Sequence, residues 1–399
     1  MSVKAVVNAR GFADTIVIEG DTIAALGGAV PDGAEIIDAK GAHVAPGIVD
    51  LGVFAVDKAA CIAGGITRIA LMPDQNPVLD DPGIVQRAAL AAKPDLWVHP
   101  IAAATRALAG RELGEFALMR KAGARAVATG RGWIADTGVM LKALAYAGSL
   151  DMTLIAHAED AGLTGGAVAT AGETASRLGL SGAPASAEAV AIARDVALVR
   201  ETGARLHIRQ VTTRVGLDLV RAAKADGLPV SCGITPNHLL LNDMAISDFR
   251  TFARLSPPLR SETDRLACIE AVRDGTIDVL SSSHDPRGPE AKRLPFADAE
   301  PGAAGAETLL ALALGLVRDG VIGLERLFEM LALNPSRLLG VDSGRIAPGA
   351  PADLILFDPD APWQIDANVF AGQAGNTPFD KLPVQGRVLK TIKGGRALS

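Results

Sequence analysis

Two short stretches gather the side chains best suited to proton transfer. In IAHAED, His157, Glu159 and Asp160 bring an imidazole and two carboxylates together, the residue types of a general acid–base cluster. The plainer reading of that stretch is that Glu159 and Asp160 open a loop and bind backbone amides or solvent. The second stretch, Ser283-His284-Asp285, contains the residue types of a catalytic triad. Side chains adjacent on a strand point to opposite faces, so these three are not expected to line up as nucleophile, base and orienter. His207 reads as a hydrogen-bonded core residue inside a strand. His43 and His99 read as structural, and His238, in TPNHLLL, either packs a loop or touches a ligand. Cys61, Cys232 and Cys268 are odd in number, widely spaced and free of any CxxC pair. They are expected to be buried thiols in a reducing compartment, not a disulfide frame or a zinc knuckle.

These residues are carried by a chain of alternating strand and helix patterns. Strands are predicted at Gly47–Phe54, Thr67–Met72, Trp97–Ala102, Ala124–Ala128, Thr153–His157, Arg205–Val211, Pro229–Ile234 and Asp278–Ser282. Helices are predicted between and after them, at Gly138–Ala147, Ser186–Glu201, Gly216–Ala225, Ser261–Arg273, Gly305–Arg318 and Leu324–Leu331. Ser186, with Glu188 behind it, is a candidate N-cap. Gly203, Gly227 and Gly275 sit where a left-handed residue ends a helix. Eight strand–helix units predict a (β/α)8 TIM-type barrel, and the first strand lacks the glycine-rich turn of a dinucleotide fold.

Short β-type segments flank the barrel: Lys4–Val7, Thr15–Glu19 and Thr22–Ala25 before it, and Gly344–Ile346, Asp353–Phe357, Gly386–Ile392 and Gly394–Ala397 after it. Pro348, Pro351, Pro359 and Pro362 punctuate the latter group and are expected outside strand centres. Both termini are therefore expected to meet in a small β-sandwich. The division is residues 1–46 and 342–399 for the sandwich and 47–341 for the barrel.

At 399 residues, with 49% hydrophobic and 21% charged side chains, the composition is that of a globular protein with a large core. A formal net charge of −6 gives no basic footprint, so nucleic acid is an unexpected partner. The opening MSVKAVVNARGFAD has no charged-then-apolar leader pattern, and no apolar run reaches the length of a membrane helix. The expected location is the cytoplasm, with no membrane contact.

GAHVAPGIVD, AGGITRIALMP, IAHAED, AEAVAIARDVALVRETGARLHI, TPNHLLL, SPPLR, ETDRLACIEAVRDGTID, ADLILFDPDAPW and NTPF run through nearly the whole chain. Together they resemble bacterial dihydroorotases of the amidohydrolase superfamily. The resemblance implies a (β/α)8 barrel with a sandwich built from both termini. In active members, one or two zinc ions open or close the ring of dihydroorotate. It also shows what this chain lacks. After the first strand, the family's two metal histidines are replaced by Gly52 and Phe54, and the arginine that grips the substrate carboxylate is Val56. The loop from there to Gly64-Gly65 is shortened. After the second strand, Met-Pro-Asn has become Met72-Pro73-Asp74, an acid facing a dianionic substrate.

After the fourth strand, Arg131 lies where a bridging carboxylate or carbamylated lysine belongs. After the sixth, Gln210 replaces a metal histidine. After the eighth, Thr-Asp-His-Ala-Pro-His reads Ser282-Ser283-His284-Asp285-Pro286-Arg287, with Ser283 in place of the catalytic aspartate. Of the metal-site positions Gly52, Phe54, Arg131, His157, Gln210 and Ser283, only His157 keeps a ligand of the family. One imidazole does not hold a catalytic zinc. No metal and no cofactor are expected, and Ser283 marks a site without a catalytic residue. The degenerate substrate positions are Val56, Asp74, Asn237, His238 and Arg287. Arg131 is expected to fill the void left by the metal, with Arg287 and Gln210 beside it.

The degeneracy itself resembles that of inactive dihydroorotase homologues that assemble with aspartate carbamoyltransferase. That likeness implies a noncatalytic partner of that enzyme's trimeric catalytic chain, in a symmetric hetero-oligomer such as a dodecamer of six plus six. Two other readings remain open at this level: a weak or rewired cyclic-amide hydrolase, and a metal-free small-molecule binding module.

Overall fold

The computed structural model describes residues 3–398. Eight parallel strands form the central sheet: β1 (Ile48–Val53), β2 (Ile66–Leu71), β3 (Trp97–Ala103), β4 (Ala126–Ala128), β5 (Thr153–Ala156), β6 (Leu206–Ile208), β7 (Val230–Ile234) and β8 (Val279–Leu280). They hydrogen-bond in strict chain order from β1 to β8, with helices between them, which is the predicted TIM-type barrel. Between the two end strands there is no ladder, and β8 is only two residues long. The seam is instead held by individual bonds. The Phe54 amide donates to the His284 carbonyl at 2.8 Å. The Asp50 carboxylate, fully buried in β1, accepts the Ser282 amide at 2.8 Å and also the Ser282 hydroxyl. Burial pushes the Asp50 carboxyl up, against the pull of those two bonds.

Alternation along the strands divides the core. Val49, Leu51, Ala70, Ile101, Ala126 and Ile155 fill the barrel interior together with Leu339, whereas residues of opposite parity pack outward against helices. Helix ends follow local chemistry. Asp136 and Ser261 cap Thr137–Ser149 and Glu262–Arg273, and Gly203 ends Ser186–Thr202 in the left-handed region at φ +66°. Ser186 is not a cap. It is already helical, behind an Ala185 that offers no side-chain bond. Its partner Glu188 is buried and accepts the amides and hydroxyls of Thr212 and Thr213 instead. Among the described residues, no helix is long and apolar enough to cross a membrane.

Both ends of the chain build the two flanking sheets. One sheet contains Val3–Val7, Ile16–Glu19, Thr22–Leu26 and Glu35–Asp38. The other joins Arg10–Gly11 and His43–Pro46 to Leu354–Gln364, Pro383–Lys393 and Arg396–Ala397. Val6, Ile16, Ile18, Val44, Leu354 and Ile392 form their shared core. Two expectations fail here. Gly344–Ile346 forms no strand. Pro359 and Pro362 lie within Leu354–Gln364: Pro359 falls where the register breaks between Asp358 and Pro362, and Pro362, opposite Gln385, lies beyond the stretch that also pairs with His43–Pro46.

Removing the Asp50 carboxylate leaves the Ser282 donors buried without a partner. Asp50→Ala is expected to lower the unfolding free energy by about 3 kcal/mol, and Asp50→Asn, which keeps an acceptor, by clearly less. Urea unfolding of the two variants checks this; equal losses would show that the carboxylate does not hold the seam.

Candidate functional site

Chemistry in this architecture sits where the strands end, and nearly all the singled-out positions converge there. Phe54, Arg131, Gln210, Asn237, His238, Ser283 and Asp285 line one cavity of only about 30 Å³. That is room for roughly one water, against the ~300 Å³ or more of an ordinary ligand pocket.

The space is taken by Arg209. Leu206 and Ile208 of β6 pack outward, which turns His207 and Arg209 inward. His207 stays low in the barrel, with Nδ1 2.9 Å from the Ser231 hydroxyl. Arg209 runs up to the mouth and is 4% exposed. Its Nη1 donates to Ser283 Oγ at 3.1 Å, and its Nη2 approaches His157 Nδ1 at 3.3 Å. Because guanidinium only donates, Nδ1 of His157 accepts and Nε2 carries the proton, 3.2 Å from Glu159 Oε2. Burial, then the charge of Arg131, lowers the Arg209 pKa to about 10, so it is cationic at neutral pH.

Gly52 lies at a register shift of β1 with φ +87°, a backbone shape that favours glycine. A Cβ there would stand 3.5 Å from Arg209 Cδ, so a larger side chain built out from it would meet the arginine stem.

Arg131, expected to fill the void, does not enter it. It is the cover. One-third exposed, it lays its guanidinium 3.7 Å above the Phe54 ring and binds Asp285 Oδ2 at 2.7 Å. Arg209 approaches the same ring at 5.2 Å. Asp74 accepts the Arg131 amide at 2.8 Å and adds a negative charge facing Arg209. Arg287 joins Asp285 at 3.2 Å from the rim and also binds Glu300. Gln210 is buried, with Oε1 lacking a partner among the described residues. His238 uses both ring nitrogens, one toward Thr235 in its own loop and the other toward the Pro257 carbonyl of a separate segment, and burial lowers its pKa to about 4. Val56 packs against the main core, away from the cavity.

Glu159 also departs from expectation. Instead of binding amides or solvent, it bridges His157 to Arg260, whose Nη2 lies 2.8 Å away. Burial pushes its carboxyl up, but the hydrogen bonds from His157 and Arg260 and the Arg260 charge win and hold it at about 2. Asp160 does cap a short helix, accepting the Gly162 and Leu163 amides. Ser283, His284 and Asp285 diverge, though not through strand alternation. β8 ends at Leu280 and Ser283 turns with φ +49°. Ser283 meets Arg209, His284 accepts the Gly305 and Ala306 amides, and Asp285 meets Arg131.

Sequence reading missed Arg209 and Arg260. The signal for Arg209 was its parity with His207. Arg260, in SPPLR, carried no local signal, because its partners Glu159 and Thr212 are distant in sequence.

A metal does not fit these residues. Gly52 and Phe54 offer no lone pair, both nitrogens of His157 are engaged, and Ser283 faces a guanidinium. At about 4 Å, a dication and a guanidinium repel by roughly 8 kcal/mol at an effective dielectric of 20. Among the described residues, no group of three His, Cys, Asp or Glu side chains is placed to hold a metal ion.

Comparison with known proteins agrees with the architecture. The L-hydantoinase (dihydropyrimidinase) of Arthrobacter aurescens superposes with a TM-score of 0.88 at 24% identity, covering 100% of this chain and 96% of that one. The fold is therefore that of the hydantoinase-like barrels. Residues 41–215 match the family model described as Dihydro-orotase-like. The chain is 37% identical to the dihydroorotase of Geobacter metallireducens, over 96% of this chain and 94% of that protein. It is 38% identical to a dihydroorotase-like protein of Pseudomonas aeruginosa, over 95% and 93%. The chain belongs to the dihydroorotase family.

The site generates two predictions. Arg209→Ala opens a cavity and strips a counter-charge from Asp74, Asp285 and Glu159, so it is expected to cost about 3 kcal/mol of stability, while Arg131→Ala costs roughly 1 kcal/mol. Denaturant titration ranks them; the reverse order would make Arg131 the plug. Glu159 has a folded pKa below its unfolded one, so its contribution is complete above about pH 4.5 and fades as pH falls toward 2. Melting temperatures from pH 7 to 3 should therefore fall less steeply in Glu159→Gln than in the parent chain.

Proposed function

We propose that this chain is a noncatalytic member of the dihydroorotase family that serves pyrimidine biosynthesis by assembling with aspartate carbamoyltransferase and supporting it. The observation that carries the reading is the Arg209 guanidinium wedged between Ser283 and His157, in the place where the reaction would need a metal-activated water. A catalytic water there would have neither a dication to acidify it nor a carboxylate at position 283 to take its proton. The cavity of about 30 Å³ leaves no space for a pyrimidine ring.

A barrel without turnover is useful through what it binds, and the likeness of its degenerate site to that of inactive homologues is what supports this partner. The assembly we envisage joins six of these chains to six carbamoyltransferase chains, two trimers, under closed point-group symmetry. The strongest support for a weak hydrolase is the retained His157–Glu159 pair. Against it, Arg209 occupies the Nδ1 lone pair that a general base would use. A metal-free binding module at this mouth meets the same lack of room.

The test is expression of this chain together with the carbamoyltransferase of its own source, followed by sizing, metal analysis and assay of dihydroorotate ring closure on one sample. Co-elution in equal amounts, without stoichiometric zinc or turnover above background, is expected. A free, zinc-loaded and active chain would overturn the proposal; an inactive chain that never co-elutes would overturn its partner half.

A further inference from the structure

The barrel has a second mouth, at the N-terminal ends of its strands. There a cavity of about 520 Å³ lies between the starts of β2 and β3 and the β-sandwich. That volume is in the range of small-molecule pockets, unlike the sealed end. Its charges do not balance. Arg68 donates through Nε to Asp353 Oδ2 at 2.8 Å, and Lys393 donates to the same oxygen at 2.6 Å. All three side chains are at least 95% buried, so two interior cations share one carboxylate. Trp97 softens this: Arg68 lies 4.4 Å and Lys393 4.5 Å from its ring centroid. An aromatic ring is still not a counter-ion, and an uncompensated buried charge is costly.

The remaining charges of the lining leave the excess in place. Arg396 pairs with Asp95, and Asp342 pairs with Arg345. Asp21, exposed at the edge, acts on Lys393 through its charge, which leaves Arg125, also exposed, as the cation in excess, with no ion pair among the described residues. The second observation is independent of charge. His99 is 6% exposed and lines the cavity, and its Nε2 is buried without a hydrogen-bond partner among the described residues. Sequence reading took His99 as a structural residue, yet nothing satisfies that nitrogen. Burial, then the charge of Arg68, lowers its pKa to about 3, so the ring is neutral and can donate or accept one bond.

We propose that this N-terminal mouth binds a small organic oxyanion, a carboxylate or a phosphate ester, with the anionic group against Lys393 and Arg125 and a polar atom of the ligand bonded to His99 Nε2. The ligand supplies the missing counter-charge and satisfies the orphaned nitrogen together. Its site lies at the end of the barrel opposite to where this fold performs chemistry, so occupancy stabilises the fold by mass action and transforms nothing. The inference is independent of the proposed partnership.

Calorimetric titration of the full chain with succinate and, separately, with glycerol 3-phosphate distinguishes the two chemical sources. Binding of either, with Kd on the order of 1 mM or tighter, is expected. Arg125→Ala, an exposed and unpaired position that leaves folding intact, should weaken it by about tenfold. Asp21→Asn should tighten it, because an opposing charge is removed. His99→Leu should weaken it with the Arg68–Asp353–Lys393 cluster still in place. Failure of both probes to bind, or binding indifferent to Arg125→Ala and Asp21→Asn, would overturn the proposal. Indifference to His99→Leu alone would overturn the role given to that nitrogen.

Discussion

Two cations cannot occupy one desolvated point, and the barrel of this protein is arranged around that constraint. Arg209 places a permanent charge where strands β5, β6 and β8 converge, and each neighbour is placed in a way that tolerates it. Ser283 and His157 accept from it, while Asp74, Asp285 and Glu159 supply negative charge around it. Phe54 offers a ring face to Arg209 and Arg131 together. The two guanidiniums repel, which is one reason the Arg209 pKa falls, and Arg131 is accommodated because it sits outward on Asp285, partly in solvent. A metal ion would have to displace an arginine that is already bonded, not merely find ligands.

The same end of the barrel also closes the fold. Asp50 belongs to the strand that carries Gly52 and leads into Phe54, and its carboxylate ties β1 to Ser282, one residue before the Ser283 that meets Arg209. With β8 only two residues long, these side-chain bonds do what ladder pairs do elsewhere in the sheet. Site and seam are therefore one connected structure. The aspartate is structural in a place where the neighbouring Gly52 and Phe54 offer no lone pair.

Much of this was legible in the chain itself. Strand periodicity located all eight barrel strands, because parallel strands packed on both faces read as apolar runs, and family motifs marked the positions without donors. The failures have physical causes. Arg131 was given the role of plug because it replaces a bridging ligand, but a strand end with Gly130 at φ +80° sends its side chain over the mouth and not into it. Arg209 is legible by alternation with His207, whereas the family pattern points only to its neighbour Gln210, the replaced ligand. Arg260 and the bond from Glu159 to it are long-range facts that no local pattern encodes. The prolines are tolerated within a strand because Pro359 sits where its register slips and Pro362 on a stretch with one neighbouring strand only.

The two ends of the barrel differ, and the contrast lies in how each disposes of its charge. At the C-terminal end, guanidinium and phenyl groups replace metal and water, shrinking the cavity to about 30 Å³ and pairing the acids nearby. At the N-terminal end, about 520 Å³ remain open beside two buried cations that share one carboxylate and a histidine nitrogen with no bond. Selection for stability alone would be expected to close or neutralise such a place, since a buried apolar residue at either Lys393 or His99 would cost less than an unsatisfied buried group. The persistence of an excess cation around the open cavity, while Asp74, Asp285 and Glu159 surround the Arg209 charge at the closed end, is the argument that the open end is kept for a ligand.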